Sequence, residues 1–569
     1  MRHILRLNMT RGSIRKEPLA PEMALLGGRG LVDAILLAEV DPPCHPLGPG
    51  NKLILAPGLL AGTALPTSSR LSVGGKSPLT GGIKEANVGG NAAQILARMG
   101  LAAVVVEGQA GEGGCRVLVV DSESARLEDR PELKLMGNYR AATLLRDSYG
   151  QEMVIILAGP CGEMGLAAAS VAVTDPEGRP CRHAGRGGLG AVMASRGLKA
   201  VVLAPAGLKM IKGERPKDFA RAARDYTRQV VQGARNPFWQ EYGTPGIVDA
   251  ASARGSLPTR YYREGSYDKR AGINGRRFKE LIQKRGGRTG HPCMNGCIVR
   301  CSNIYNDAQG QYLTSGLEYE TLCLLGSNLD IDDLDTVAKL DFLCDDYGLD
   351  TIETGAALGA LSQTNLFSLG DGPGAIELVH QIGRGTVLGR VLGQGAAVVG
   401  RVFGLSRVAA VKGQSIPAHA PRALKGLGVT YATSPQGADH TAGFVLEEPL
   451  SAQGQAERSR KVQLSSVLGD SLGICQFAEV DRNDFALLAR LLGPLLGLEV
   501  TPEEVRNLGP EALLRERDFN HAAGLGPAFD RLPEFMAEEP LPPHGEVFDV
   551  SQEELKRVFD ELPGKGGHD

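Results

Sequence analysis

Aromatic side chains and long apolar runs are scarce in this chain. Phe, Trp and Tyr make up 5% of the 569 residues, with a single Trp, so few rings suggest where a binding pocket lies. No stretch reaches the ~18 apolar residues that a membrane-spanning helix needs. Residues 1–8 alternate as a short strand does and do not resemble a signal peptide. We therefore expect a protein with no membrane span.

Neither an excess of one charge nor a disulfide framework is present. The formal net charge is -3 and the pI is near 6.4, whereas a nucleic-acid-binding protein usually carries a concentrated basic surface. Ten cysteines in 569 residues are too few for a disulfide scaffold, and their clustering indicates metal binding in a reducing compartment. The sequence predicts a cytoplasmic protein that does not bind nucleic acid.

Glycine, in contrast, is abundant, and its 76 residues are roughly twice the usual share of about 7%. Glycine allows positive φ angles and close approach of the backbone to a ligand, as a large anionic cofactor would require. Ordinary tight turns would use glycine as well. Composition leaves both explanations open.

The pattern of apolar residues changes near residue 205. Before it, short strands recur at 52–56, 102–107, 115–121, 153–157 and 200–204. After a turn-rich boundary at 206–216, helical spacing dominates, for example at 334–347, 375–383, 457–467 and 484–496. A chain of this length exceeds one core. We predict an α+β protein with a β-rich N-terminal α/β domain (1–208) and two mostly helical domains (209–420 and 421–569).

Three cysteines lie close together, and a fourth follows about 170 residues later: Cys293, Cys297, Cys301 and Cys475. A [4Fe–4S] cluster needs four converging thiolates, which three neighbouring residues and one distant residue can supply. Zinc sites more often pair two Cys-x-x-Cys sets, and the sequence has no second set. Buried cysteines can also meet by chance as small apolar residues. The spacing favours a [4Fe–4S] cluster.

Two six-residue segments share the pattern Asp-x-x-Gly-Leu/Ile-Asp/Cys. We call residues 345–350 the first hexad and residues 470–475 the second hexad. Each follows a helical stretch, so its glycine is predicted to end the helix in a left-handed conformation. The leading aspartate could accept hydrogen bonds from an amino-pyrimidinone ring. The alternative is two glycine-capped helices with a chance aspartate. No other internal repeat is evident, and the repeated hexad suggests two copies of one ligand.

Several further segments occur in a fixed order along the chain: Pro66-Thr-Ser-Ser-Arg70, Ala86-Asn87-Val-Gly-Gly90, Ala184-Gly-Arg-Gly-Gly-Leu-Gly190, Gly316-Leu-Glu318-Tyr-Glu-Thr321 and Gly437-Ala-Asp-His440. With the two hexads and the cysteines, this order resembles the aldehyde:ferredoxin oxidoreductase family of tungsten enzymes over nearly the whole chain. The resemblance implies a tungsten bis-pterin centre, with molybdenum less favoured, clasped between the β-rich domain and the helical domains beside one [4Fe–4S] cluster.

The resemblance also implies which residues bind the cofactors. The residues expected at the pterin phosphates, with Mg²⁺ bridging them at the Asn87 carbonyl, are Arg70, Asn87 and Gly89 from one strand and Arg182, His183, Ala184, Gly185 and Arg186 from another. The residues expected to hold the two pterins are Asp345, Gly348, Leu349 and Asp350 in the first hexad and Asp470, Gly473, Ile474 and Cys475 in the second. Cys475 would also ligate the cluster.

For the chemistry, the resemblance implies that Glu318 activates water and that His440 polarises or protonates the substrate oxygen. The reaction expected is oxidation of an aldehyde to a carboxylic acid, or the reverse. Electrons would pass through the cluster to ferredoxin or a ferredoxin-like subunit, within a homodimer or a hetero-oligomer. From chain position alone, a helix-start carboxylate and a buried imidazole would be the simpler explanations of these two residues.

Some positions depart from the family pattern and leave the substrate open. Three residues separate Cys293 from Cys297 where the family usually has two. Cys323 is either a core thiol or a tungsten ligand, and a ligand would resemble the branch that reduces benzoyl-coenzyme A. That activity, or a cofactor-poor electron-transfer subunit, is the alternative function. Glu377 and His380 share a helix face and could form half of an interface metal site, although a solvated face is the favoured explanation.

Overall fold

The structure, a computed structural model, describes residues 2–111, 113–446, 451–560 and 562. In this part of the chain, β-sheet dominates up to Leu203, and helices dominate after it. The first sheet has the strand order β2-β1-β6-β3-β4-β5. Its strands are β1 His3–Asn8, β2 Ser13–Pro18, β3 Leu53–Pro57, β4 Leu71–Lys76, β5 Ile83–Val88 and β6 Leu101–Glu107.

The second sheet has the same strand order and connectivity as the first. Its strands are β7 Arg116–Val120, β8 Ala125–Asp129, β9 Val154–Ala158, β10 Val171–Val173, β11 Arg182–Ala184 and β12 Leu198–Leu203, in the order β8-β7-β12-β9-β10-β11. Adding six to each strand number of the first sheet gives the second. The pairs β1–β6 and β7–β12 are parallel, and the other pairs within the two sheets are antiparallel. The first 203 residues are therefore a structural duplication.

The inner strands of both sheets, for example β3, β6, β9 and β12, are buried on two faces, which explains their continuous apolar runs, whereas the edge strands β2 and β8 are partly exposed. In β3, Leu53 and Leu55 point into the core between the two sheets, while Ile54 and Ala56 point into a second core. This alternation follows from the two-residue period of a strand. The second core is closed by helices from both ends of the chain, which therefore fold together with the first sheet.

Helices also lie within the duplicated region: α1 Gly28–Glu39, α2 Ala92–Arg98, α3 Asn138–Tyr149, α4 Pro160–Glu163 and α5 Leu189–Ser195. The later helices are α6 Pro216–Val231, α7 Asn236–Tyr242, α8 Val248–Arg254, α9 Gly275–Lys284, α10 Tyr319–Leu324, α11 Leu334–Tyr347, α12 Thr351–Leu361, α13 Gly372–Arg384, α14 Val387–Leu392, α15 Ala396–Phe403, α16 Lys425–Thr433, α17 Gln455–Leu472, α18 Phe485–Leu496, α19 Pro502–Ala522, α20 Phe535–Glu538 and α21 Gln552–Asp560.

The predicted α+β class, with a β-rich N-terminal region followed by helices, is confirmed. The boundaries of the three domains stay a prediction. Two small sheets in the helical part were not expected, because their strands are too short to show a period. They are β13 Arg288–His291, β14 Ser302–Asn306 and β15 Tyr312–Ser315, and the pair β16 Ala410–Val411 and β17 Gln414–Ser415. Among the described helices, none combines the length and apolarity required to cross a bilayer.

Candidate active site

Each hexad ends a helix through a left-handed glycine, as the sequence predicted. Gly348 has φ 71° at the end of α11, and Gly473 has φ 80° at the end of α17. In both, backbone N–H groups bond carbonyls of the last helical turn, which is a common way to end a helix. The helix ends place the leading aspartates, Asp345 and Asp470, one turn before the stop.

The second hexad packs on the first sheet through backbone contacts. Leu59 N–H donates to the Ser471 carbonyl at 3.1 Å, and Arg70 N–H donates to the Gly473 carbonyl at 3.1 Å. A Cβ added to Gly58 would lie 2.2 Å from Gly473 Cα, so this approach requires glycine. The contact fixes the hexad to the loop after β3 and to the start of β4.

The first hexad packs on the second sheet at the corresponding points. Ser170 N–H donates to the Gly348 carbonyl at 2.9 Å, and a Cβ on Gly159 would lie 2.4 Å from the Tyr347 carbonyl oxygen. Gly159 follows β9 as Gly58 follows β3, and Ser170 precedes β10 as Arg70 precedes β4. The duplicated sheets thus carry one hexad each.

The hexad carboxylates are buried and paired with cationic or polar groups. Asp345 Oδ1 lies 3.0 Å from His183 Nε2, and Asp350 Oδ2 lies 3.3 Å from Arg186 Nε. Asp470 Oδ2 lies 3.4 Å from an Arg29 nitrogen. The residues that follow the hexad glycines, Leu349 and Ile474, are buried apolar side chains. The carboxylates are therefore held in fixed positions next to the sheets.

The residues expected at one set of phosphates lie together beside the first sheet. Arg70 Nε donates to Asn87 Oδ1, and Arg70 Nη2 lies 3.2 Å from the Asn87 carbonyl oxygen. A Cβ on Gly89 would lie 3.2 Å from both an Arg70 nitrogen and Cys293 Sγ. The structure therefore brings Arg70, Asn87 and Gly89 together with the first cysteine.

The second set lies on the equivalent strand of the second sheet. His183 faces Ala172 in β11 and β10, as Asn87 faces Ser72 in β5 and β4. Arg182 Nη1 donates to Ser302 Oγ at 2.7 Å. Ala184 is fully buried, and Gly185 lies near the Asp350 carboxylate, as shown by the 3.8 Å from its added Cβ to Oδ1.

Arg186 differs from the other residues in the second set. Its terminal nitrogens donate to the Ala438 and Ser415 carbonyls at 2.6 and 2.7 Å. The guanidinium is fully engaged by protein oxygens, so Arg186 braces the loop that carries His440 as well as the first hexad.

The four cysteines converge in one buried region. Cys293, Cys297 and Cys301 lie in the loop between β13 and β14, and the Cys475 N–H donates to the Thr67 carbonyl at 2.9 Å. The Thr67 N–H in turn donates to the Gly296 carbonyl at 3.1 Å, which ties both thiol-bearing segments to one turn. Apolar side chains pack over the thiols, with the rings of Trp239 and Phe477 5.1 Å apart.

The electrostatics of this region favour thiolate at one position. A hydrogen bond from Cys297, together with the Arg70 and Arg182 guanidiniums, lowers the pKa of Cys293 to about 5 in spite of burial. Burial raises the pKa of Cys301 and of Cys475, where the neighbouring thiols add to the effect. Thiolate is the form that binds metal, and four neighbouring thiols that repel one another when ionised are suited to a cationic iron–sulfur core.

Glu318 lies beside the cysteines. It precedes the first residue of α10, accepts a hydrogen bond from Thr244 Oγ1, and has the charges of Arg182 and Cys293 close by. Burial raises the pKa of its carboxyl group. The role of Glu318 in the reaction stays a prediction.

Glu320, the second acid of the Glu-Tyr-Glu motif, lies close enough to His440 to interact with its charge. It accepts a hydrogen bond from the Ala418 N–H at 2.7 Å, and burial raises its pKa against the opposing charges of His440 and Arg186. The sequence resemblance assigned the catalytic role to Glu318, the first acid of the Glu-Tyr-Glu motif. Because α10 begins between the two acids, they point in different directions, and the predicted helix start was the signal that could have separated them.

His440 is positioned by a buried ion pair. The preceding Asp439 accepts a hydrogen bond from Lys84 Nζ at 2.5 Å, and its other oxygen caps the turn at Thr441 N at 2.9 Å. His440 Nδ1 is buried without a hydrogen-bond partner among the described residues. The nearby Tyr431 hydroxyl is in the same condition, so both groups are available to a polar ligand.

Other buried polar atoms that lack a hydrogen-bond partner within the described ranges lie between the sheets and the hexads. They are Thr67 Oγ1, Ser72 Oγ, Glu85 Oε1, Asn87 Nδ2, Arg182 Nε and Arg182 Nη2. Buried polar groups are normally satisfied, so this group indicates a bound polar ligand. A large ligand with ring nitrogens and phosphates fits both the donors and the acceptors.

The structure shows the surroundings of Cys323, Glu377 and His380, the three residues for which the sequence left two explanations open. Cys323 is fully buried in the helical core, where burial raises its pKa, and ligation of tungsten stays a prediction. His380 Nδ1 lies 2.9 Å from the Tyr347 hydroxyl, and Glu377 pairs with Arg384. These pairings account for the helix face without a metal.

Four converging thiols, two of them buried and two partly buried, lie next to a polar, glycine-lined interface, an arrangement that is typical of redox metalloproteins. The chain belongs to the aldehyde ferredoxin oxidoreductase family. Residues 4–205 match the model of the N-terminal domain of aldehyde ferredoxin oxidoreductase, and residues 221–562 match the model of its domains 2 and 3. The predictions of family and of an oxidoreductase enzyme are therefore confirmed.

Relatives of known name extend this result. The chain is 32% identical over 577 residues to the tungsten-containing aldehyde ferredoxin oxidoreductase of Thermococcus kodakarensis, covering 95% of this chain and 91% of that protein. It is also 32% identical to that of Pyrococcus furiosus, over 580 residues with the same two coverages. Among solved structures, the active site complex BamBC of benzoyl coenzyme A reductase, in complex with 1,5 dienoyl-CoA, shares the fold with a TM-score of 0.80. That match has 18% identity and covers 98% of this chain and 93% of the other.

Proposed function

We propose that this protein is a tungsten bis-pterin enzyme that oxidises aldehydes to carboxylic acids, or reduces the acids. The relatives at 32% identity are named as tungsten-containing aldehyde ferredoxin oxidoreductases, and the identity extends over nearly the whole chain. Tungsten is favoured over molybdenum because these relatives are named as tungsten-containing enzymes. The single observation that carries the proposal is the pairing of each hexad with its own copy of the sheet.

Each half of that duplication would hold one pterin. The leading aspartates of the hexads would accept hydrogen bonds from ring nitrogens in addition to their present ion pairs, and glycine at positions 58 and 159 lets the hexad backbones approach the sheets. Arg70 and Asn87 in one half, and Arg182 and His183 in the other, would face the phosphates. Mg²⁺ between the phosphates would take the Asn87 carbonyl as a hard oxygen ligand.

The cysteines would hold a [4Fe–4S] cluster next to the second pterin. Cys475 ends the second hexad, and Cys293 lies against Gly89 and Arg70. A cluster on these thiolates and a pterin on this hexad would be neighbours, which provides a short path for single electrons. A ferredoxin or a ferredoxin-like subunit would accept them, in a homodimer or a hetero-oligomer.

A tungsten bis-pterin centre supplies two-electron redox chemistry. The protein must add an oxygen nucleophile to the aldehyde and move protons, which requires a base and a hydrogen-bond donor. We place Glu320, rather than Glu318, in the role of base, because Glu320 lies near His440 and has a pKa raised by burial. His440 and the Tyr431 hydroxyl would hold the substrate oxygen. Glu318 would instead influence the charge of the cluster cysteines, since it lies near Cys293 and Cys301.

A second candidate, reduction of an aromatic coenzyme A thioester, is favoured by one residue. Cys323 follows Glu320 by three positions in α10 and so lies on the same helix face, where a thiolate could reach the same metal. Replacing Cys323 with Ala tests this candidate. Loss of tungsten from the variant would support it, and full tungsten with normal aldehyde oxidation would remove it.

Elemental analysis of anaerobically purified protein tests the main proposal. We expect one tungsten, four iron atoms and two pterins per chain, with the pterins measured as their fluorescent oxidation products. Iron without tungsten and pterin would contradict the proposal and leave the alternative of an electron-transfer subunit. Aldehyde oxidation with a ferredoxin or a dye acceptor then tests the reaction.

A further inference from the structure

A second group of metal-binding side chains lies outside the active site. Asp175 and Glu177 are in the turn after β10, and His291 ends β13. One ligand atom from each of these three residues lies within 4.8 Å of the others. His291 Nε2 is 3.1 Å from Glu177 Oε2 and 3.8 Å from Asp175 Oδ2. The group joins the second sheet to the strand that leads into the cysteine loop.

The imidazole of His291 is enclosed by protein and faces the carboxylates of Asp175 and Glu177. Its side chain is 0% exposed, and neither ring nitrogen makes an aligned hydrogen bond to any described residue. A buried imidazole normally bonds through at least one nitrogen. A nitrogen–oxygen approach of 3.1 Å without an aligned N–H fits an ion pair, and it also fits two atoms that bind a common ion.

The turn holds the Asp175 carboxylate in place for such an ion. Asp175 Oδ1 accepts the backbone N–H groups of Glu177 and Arg179 at 3.0 and 2.9 Å. This leaves Oδ2 directed toward His291, with the Cys181 thiol donating to it at 3.5 Å. The carboxylate is fully buried, so its position costs little further entropy when an ion binds.

We propose that Asp175, Glu177 and His291 bind a divalent transition metal ion of the zinc class. Ligands about 2.1 Å from a tetrahedral zinc ion are roughly 3.4 Å apart, and the separations of 3.1 and 3.8 Å bracket that value. Imidazole with carboxylates selects zinc or a similar ion over magnesium or calcium. A water molecule completes the coordination, because Glu177 is 39% exposed and opens the site to solvent.

Arginine is the competing cation at this site. Arg179 Nη1 lies 3.9 Å from Asp175 Oδ2, but its guanidinium stacks 4.4 Å from the centre of the Tyr312 ring and its Nη1 reaches Ser315 Oγ at 3.5 Å. These contacts hold Arg179 at the rim. Arg182, the other arginine of the hairpin, donates to Ser302 on β14. The inner edge of the site, where His291 lies, is left for the metal ion.

The bound ion fixes the path of the chain into the iron–sulfur loop. Cys293 follows His291 by two residues, and Ser302, which pairs with His291 across β13 and β14, follows Cys301 directly. The ion therefore holds both ends of the cysteine loop to the second sheet. This structural role is independent of the tungsten and pterin proposal.

Zinc binding to the intact, anaerobically purified enzyme tests the inference. After a brief wash with a chelator, the protein is dialysed against ⁶⁵Zn²⁺ and the retained zinc is counted per chain. We expect one tightly held zinc in the wild type and at least tenfold weaker binding in Glu177→Gln and in His291→Asn. His380→Asn is the matched control, because His380 pairs with a tyrosine elsewhere, and it should retain the zinc.

Several outcomes would overturn the inference. They are no retained zinc in the wild type, equal retention in Glu177→Gln, or loss in the control. Glu177→Gln decides the matter if His291→Asn does not fold, because the Glu177 side chain is partly exposed and its replacement leaves the core unchanged. Zinc should also raise the melting temperature of the wild type and leave that of Glu177→Gln unchanged. An equal rise in both would contradict the site.

Discussion

The contact between Gly58 and Gly473 allows a prediction with a defined magnitude. In Gly58→Ala, the added Cβ would lie 2.2 Å from both the Cα and the N atom of Gly473. Both atoms belong to the backbone, so no side-chain rotation can relieve the overlap. Overpacking typically costs about 1–3 kcal/mol, and a backbone clash belongs at the upper end of that range. About 3 kcal/mol corresponds to a roughly 100-fold shift in the equilibrium between the packed and displaced hexad.

The assay follows from the position of the contact. If the second hexad holds a pterin, Gly58→Ala should lower both the pterin content per chain and the free energy of unfolding. Gly159→Ala, the equivalent change at the first hexad, should do the same, because its Cβ would lie 2.4 Å from the Tyr347 carbonyl oxygen. Gly526→Ala is the control, since no atom lies within 4 Å of its added Cβ. Full pterin content and unchanged stability in Gly58→Ala would refute the reasoning.

Three further predictions concern the cluster, the reaction and the pH dependence of stability. Cys475→Ala should abolish the low-temperature EPR signal of a reduced [4Fe–4S] cluster, while Cys44→Ala should keep it; an unchanged signal in the first variant would exclude Cys475 as a ligand. His440→Ala and Glu320→Gln should retain tungsten and lose at least about 100-fold in turnover, and normal kinetics in either would remove that residue from the mechanism. Burial and the Asp470 charge raise the pKa of Glu85 from 4.5 to about 8, so the folded state binds an extra proton. Its contribution to stability is present below pH 4.5 and is lost as the pH rises to about 8, by up to a few kcal/mol. Urea unfolding of Glu85→Gln across this range should show a weaker pH dependence, and an identical pH profile would contradict the assignment.

The parts of the fold with a strong local signal could be predicted from the sequence. The helix expected at 334–347 is α11, Leu334–Tyr347, because its helical spacing is bounded by a capping Asp333 and by Gly348. The strand expected at 52–56 is β3, displaced by one residue. Helical periodicity and the conformational preference of glycine involve residues that are close in sequence, so both can be recognised in a single chain.

Features that join distant parts of the chain have weaker signals in the sequence. The duplication of the sheets is recorded in strand pairing and not in residue identity, since Arg70 and Asn87 correspond to Ser170 and His183. The cysteines could be assigned to one site from their spacing, whereas Asp175 and His291 are separated by 116 positions and share no motif. The choice between Glu318 and Glu320 depended on where α10 begins, a boundary that sequence patterns define only to within a few residues.

The two copies of the sheet have the same shape but different charges. In the first copy, Arg70 lies near Cys293. The equivalent position in the second copy is Ser170, whose hydroxyl lies 2.7 Å from His183 Nδ1. In the proposed enzyme, the pterin in the first copy would lie next to Arg70 and Asn87, and the pterin in the second copy would lie next to Arg182 and His183. Gene duplication followed by divergence at a few positions would thus have turned a symmetric scaffold into an asymmetric one, in which the last hexad residue is the cysteine Cys475 on one side and the carboxylate Asp350 on the other.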